Sequence, residues 1–116
     1  MKLVKSILMA TAISGLISTT SFAQVDLVKQ GEKIFNTKKI GNCNACHAVN
    51  GKDISMPGSM GPKLQYLSAW PEQAIYDKIF DPYTTNPVSV MPAFGKNGWL
   101  SDAQIKALVA YLKTVN

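Results

Sequence analysis

The chain has 116 residues, room for one small domain, and carries a formal charge of +5 from twelve lysines against seven acidic residues. It has no arginine, so no guanidinium fork is available for phosphates or base edges, and a nucleic-acid partner is not expected. Two cysteines and the single histidine fall together in one pentapeptide, Cys43-Asn44-Ala45-Cys46-His47.

Residues 1–23 read as a cleaved secretory leader. Lys2 and Lys5 form a basic start, Ser6 to Ile17 is apolar or small, and Ser21-Phe22-Ala23 sets small residues at the −3 and −1 positions before Gln24. The apolar run is shorter than the ~20 residues a spanning helix needs, so cleavage is expected rather than anchoring. No other segment is long and apolar enough to span a bilayer. The mature domain is then residues 24–116, of 116 − 23 = 93 residues, with ten lysines against seven acids, 10 − 7 = +3, working in the periplasm. A chain of that size buries a modest core and gains from a cofactor to fold around.

Three helices are predicted, in chain order. Asp26 can cap a first helix to about Phe35, whose apolar positions Leu27, Val28, Ile34 and Phe35 share a face with Gly31. Glycine inside a helix costs about 1 kcal/mol relative to alanine, so Gly31 suggests a close crossing with another helix. Lys29, Lys33, Lys38 and Lys39 cluster near the start of the mature chain, as a solvated face or as a rim for an acidic partner. A middle helix should begin with Pro71 at its first helical position and stop at Asp81-Pro82, with Ile75, Ile79 and Phe80 on one face. The last helix has Ser101 and Gln104 as a capping box, Leu100 and Ile105 as a hydrophobic staple, and the stripe Ile105, Leu108, Val109, Leu112 with Tyr111 near its edge. Between the helices lie two Pro/Gly/Met-rich loops, Asn50–Pro62 and Asp81–Gly98, too long to be idle connections. No strand alternation is present.

Cys-x-x-Cys-His is a signature for covalent haem attachment. One turn of helix sets both sulfurs near the two haem vinyl groups, to which they add as thioethers, and directs His47 to the iron as proximal ligand. A thiol–disulfide motif would want a βαβ context, which this chain lacks. A zinc site would lack a fourth ligand of the usual kind. With no second histidine, the sixth iron ligand must be sought among Met56, Met60 and Met91. Met91 is favoured: it lies 91 − 47 = 44 residues after His47, in a proline-rich loop directly before the last helix. Met60 and Met56 would need an abrupt turn across the ring. His/Met ligation raises the reduction potential and leaves no open coordination site, which suits single-electron transfer. His47 needs a second-shell acceptor for its other ring nitrogen, and the Pro62 carbonyl is well placed. Trp99, Tyr66 and Tyr83 are candidates for the haem propionates.

With these residues placed, the mature chain resembles the class I cytochromes c: Gly31…Phe35, the Cys43–His47 pentapeptide, Gly61-Pro62, Met91 and a last helix with Tyr111 match that family in order. Within it the chain is similar to SoxX, the small haem subunits of SoxXA complexes of sulfur oxidation. The stretches that carry this likeness are Gly41–Val49, Pro57-Gly58-Ser59-Met60-Gly61-Pro62-Lys63-Leu64 and Asp81-Pro82…Asn86-Pro87…Met91-Pro92-Ala93-Phe94-Gly95. The resemblance implies an all-α fold, with helices and long loops around one covalently bound haem c held by Cys43 and Cys46, and with His47 and Met91 as axial ligands. It implies a SoxA-type haem partner that contains the site coupling thiosulfate to a cysteine of a SoxYZ-type carrier, an L-cysteine S-thiosulfotransferase activity. This chain would accept electrons and pass them to a further acceptor such as another cytochrome c. The competing expectation is a free electron shuttle serving a terminal oxidase.

Overall fold

The computed structural model describes residues 16–116, and its architecture is all-α: α1 (Leu16–Asn36), α2 (Glu72–Phe80) and α3 (Asp102–Leu112), with three short 3₁₀ turns in the connections. Among the described residues the only extended pairing is a single parallel bridge between Val49 and Leu64. Most of the proposed leader, residues 1–15, lies outside the described residues, while Ala23 and Gln24 fall inside α1.

Asp26 does not start the first helix. The helix already runs through Ser21–Val25, which contain neither glycine nor proline to stop it, and the Asp26 carboxylate instead accepts from Gln30 Nε2 one turn on, at 3.2 Å. At the other end of α1, Gly41 N donates to Ile34 O at 3.2 Å, which satisfies a carbonyl the helix leaves over, and Asn36 Nδ2 donates to Glu32 O at 3.0 Å. Pro71 likewise sits one position earlier than expected, as N-cap of α2 rather than its first helical residue. Its extended ψ of 139° still serves the start, because it aims the chain into the helix while Ala74 N and Ile75 N bond back to its carbonyl.

The capping box of α3 is present in both directions. Ser101 Oγ accepts from Gln104 N at 3.2 Å, and Gln104 Oε1 accepts from Ser101 N at 2.9 Å. Ser101→Ala is expected to cost about 1 kcal/mol, read as a lower urea midpoint of the haem-loaded protein with an unchanged m-value.

The core forms where α1 and α3 cross. Phe35 and Tyr111 meet with ring centroids 5.5 Å apart, and Ile34, Ile105, Leu108, Leu112 and Val115 fill the space around them. Tyr111 is not at the edge of the α3 stripe but 1% exposed at its centre, because α3 is covered on several sides: Ala107 and Ala110 are buried with the expected stripe. Gly31 explains the closeness. A Cβ there would lie 2.0 Å from Ala107 O and 2.7 Å from Tyr111 Cβ. From α2, Ile75 and Ile79 enter the same core, while Phe80 remains half-exposed, stacked on Tyr76. Tyr76 also donates to Asp102 at 2.7 Å, tying α2 to the first turn of α3. After α3 the chain is strapped down: Lys113 Nζ donates to Ser68 O and Trp70 O, and Asn50 Nδ2 donates to Asn116 O at 2.7 Å.

Candidate haem site

The pentapeptide follows α1 on a tight reversal. Asn42 adopts left-handed geometry (φ 52°), and a 3₁₀ turn then runs over Cys43–Ala45. Cys46 N and His47 N both donate to Cys43 O, at 3.1 and 3.0 Å, so Cys43, Cys46 and His47 share one turn. The two thiols are free and half-buried. Burial pushes the Cys43 thiol up to about 12, with Cys46 adding to the rise and a backbone hydrogen bond opposing it. A redox-active thiol needs the opposite shift, toward thiolate at neutral pH.

A second strand of loop is laid along this turn. Gly58 N donates to Asn44 O, Gly61 N to Cys46 O and Leu64 N to Ala48 O, all within 2.8–2.9 Å, and Asn50 N returns a bond to Leu64 O. The approach requires bare backbone. A Cβ on Gly58 would lie 1.7 Å from Ala45 O, and one on Gly61 would lie 2.4 Å from Cε1 of His47. Gly61 therefore presses its backbone against the imidazole face, and His47 Nδ1 lies 2.7 Å from Pro62 O. A carbonyl only accepts, so Nδ1 carries the proton and Nε2 keeps its lone pair for a metal.

Of the three methionines considered, Met56 and Met60 are 94% and 73% exposed, whereas Met91 is half-buried against the core. Ser89 Oγ accepts from Met91 N at 3.1 Å, fixing the backbone there. Trp99 packs edge-on against Phe94, with centroids 5.9 Å apart, and Trp99, Tyr66 and Tyr83 are all exposed.

The donor set fits a covalently held haem c. Two free thiols sit on the same turn as an imidazole held by the Pro62 carbonyl and the Gly61 backbone, and a half-buried thioether lies on a separate loop. Among the described residues no three His, Cys, Asp or Glu side chains form a cluster able to hold a metal ion by themselves. The described cleft between the helices, about 270 Å³ and lined by Leu27, Tyr76, Lys106 and Val109 among others, contains neither thiol nor imidazole.

Sequence reasoning missed the role of Gly58, although its spacing from Gly61 was there to see. It also missed a tie at the base of the Met91 loop, where Asp81 Oδ2 and Lys96 Nζ are 3.5 Å apart.

Comparison with known proteins gives three findings. The family model described as cytochrome c oxidase, cbb3-type, subunit III matches residues 26–112. An uncharacterized lipoprotein of Aquifex aeolicus (strain VF5) is 33% identical over 91 residues, covering 74% of this chain and 44% of that protein. The chain thus spans less than half the length of this curated relative. A chain in the crystal structure of SoxXA from P. pantotrophus superposes with a TM-score of 0.66 at 28% identity, over 74% of this chain and 79% of that one.

Proposed function

Since the chain belongs to the cytochrome c family described as cytochrome c oxidase, cbb3-type, subunit III, we propose that Cys43 and Cys46 hold one haem c and that His47 and Met91 ligate its iron. Haem bound there supplies one-electron redox chemistry. The chain's own part is to hold the ligands still. The observation that carries this reading is the His47 imidazole, clamped between the Gly61 backbone and the Pro62 carbonyl with Nε2 left to ligate. An imidazole held this firmly moves little when the iron changes oxidation state.

Met91→Ala is expected to abolish the weak near-infrared-edge charge-transfer band of the ferric His/Met form and to lower the reduction potential. Met60→Ala should leave both unchanged. The reverse result would move the ligand to Met60.

The likeness to a SoxXA chain supports a more specific role: the electron-accepting subunit of a SoxXA-type complex in the periplasm. Joining thiosulfate to a carrier cysteine thiol forms an S–S bond and releases an electron pair and a proton, so the reaction needs an acceptor. A haem iron held by both His47 and Met91 would offer thiosulfate no coordination site, so bond formation would belong to a SoxA-type partner. The exposed apolar side chains Val88 (85%) and Val90 (74%) lie just before Met91 and suit the charge-poor centre of a docking surface.

The test is reconstitution. The isolated protein should not modify a SoxYZ-type carrier with thiosulfate, and adding a SoxA-type partner should give turnover with reduction of this chain's haem. No association at micromolar concentration, or carrier modification while this haem stays oxidised, favours a second reading: a free electron shuttle to a terminal oxidase. The oxidase description of the matching family is the observation on its side.

A further inference from the structure

We propose that Asp81 is a positioning residue for Met91: with Lys96 it closes the base of the loop that carries the thioether, and the strength of that closure sets how readily Met91 gives way to another ligand. The inference rests on Met91 being the sixth ligand.

Four ties join the loop to the end of α2. Asp81, the residue that ends α2, accepts from Tyr83 N on Oδ1 at 3.1 Å and faces Lys96 Nζ with Oδ2 at 3.5 Å. Lys96 N donates to Phe80 O at 3.0 Å, and Gly95 lies so close to the Phe80 ring that a Cβ would come within 2.1 Å of Cδ2. Lys78 Nζ, in the last turn of α2, donates to Thr85 Oγ1. Residues 81 and 96 are 96 − 81 = 15 positions apart in sequence yet adjacent in space, so the segment between them is a closed loop with Met91 on its far limb.

Inside the loop, the bonds around Met91 are local turns: Asn86 Oδ1 accepts from Val88 N at 3.3 Å, and Ser89 Oγ accepts from Met91 N. Val88 and Val90 point outward and contribute no core. The arm from Tyr83 to Val90 is exposed apart from Ser89, while Met91 and Phe94 rest partly buried against the core, so that arm opens locally at a free energy set by the contacts at its base and beneath Met91. The two partners differ in burial. The Asp81 side chain is 13% exposed and that of Lys96 is 66% exposed. A shielded carboxylate that accepts from a backbone N–H contributes more than an exposed lysine across an ion pair. The order of effect is therefore Asp81→Ala first, with Lys96→Gln and Asp81→Asn smaller.

The test uses ferric, haem-loaded protein titrated with imidazole, which must displace the sixth ligand to bind. Its apparent affinity scales with the fraction of molecules whose loop is open. Asp81→Ala is expected to bind imidazole about tenfold more tightly, the size of one lost charge-assisted bond, and Lys96→Gln about two- to threefold more tightly, the size of one exposed pair. Hydrogen exchange should quicken in residues 82–95 of Asp81→Ala while α3 amides keep their protection. In a Met91→Ala background, adding Asp81→Ala should leave imidazole affinity unchanged, because no thioether remains to be displaced. Unchanged affinity in both Asp81→Ala and Lys96→Gln overturns the inference, as does an equal rise with and without Met91. If Asp81→Ala does not fold, Lys96→Gln, altered at an exposed position, decides alone. Failure of the premise looks different: Met91→Ala would then retain the ferric charge-transfer band.

Discussion

Replacing Cys43 and Cys46 together by serine is expected to abolish covalent retention of haem, so that acid–acetone extraction carries the haem into the organic phase instead of leaving it with the protein. A thiol S–H adds across a vinyl group to make a thioether, and a serine hydroxyl, smaller and far less polarisable, does not. Both sulfurs are free, and the loop 58–64 bonded along the same turn holds it in one conformation. The variant should lose more than the cofactor. Cys43 packs against the core, and a cytochrome domain this small relies on its haem for part of its buried surface. Low yield and a flattened near-UV circular dichroism spectrum are the accompanying results. Cys43→Ser alone should keep one thioether and a fraction of the haem. Covalently bound haem in the double variant would refute the attachment site.

Gly31→Val is expected to be the most damaging single change outside the site. Its Cβ would lie 2.0 Å from Ala107 O, and the obstacle is the backbone of α3, which cannot swing aside as a side chain can. Overpacking of this kind costs typically 1–3 kcal/mol and sometimes more. Any gain from removing a helical glycine, about 0.5–1 kcal/mol, offsets only part of it. For a domain of this size each kcal/mol lowers the melting temperature by roughly 4–8 °C. Adding Ala107→Gly should not rescue the variant, because the clash is with the carbonyl oxygen and with Tyr111 Cβ rather than with the alanine methyl. Full rescue would show that the helices can shift apart.

Much of this was legible in the sequence because the signals were local. The capping box at Ser101 and Gln104 is a four-residue pattern, and the Gly31 crossing follows from a glycine on an apolar helix face. The bond from His47 to the Pro62 carbonyl could be anticipated because a ligating imidazole needs an acceptor and Gly61-Pro62 lies shortly downstream. Where the reading slipped, a local signal met a stronger neighbour. Asp26 is a good cap, but a cap starts a helix only if the residues before it are not already helical, and Ser21–Val25 are. Tyr111 looked peripheral on a helical wheel, yet α3 has neighbours on more than one side. The Asp81–Lys96 tie was invisible for a different reason: nothing in residue spacing says that the two ends of a loop without helical periodicity will meet.

The crossing of α1 and α3 also has a kinetic side. Gly31 and Ala107 are 107 − 31 = 76 residues apart, so the central pair of the core joins the earliest and latest parts of the domain to be synthesised. Neither Phe35 nor Tyr111 can find its partner until almost the whole domain is available. Contacts this distant raise the contact order and slow the search, whatever the local helix propensities. A growing chain therefore stays uncommitted, with its apolar faces open, until its last helix arrives.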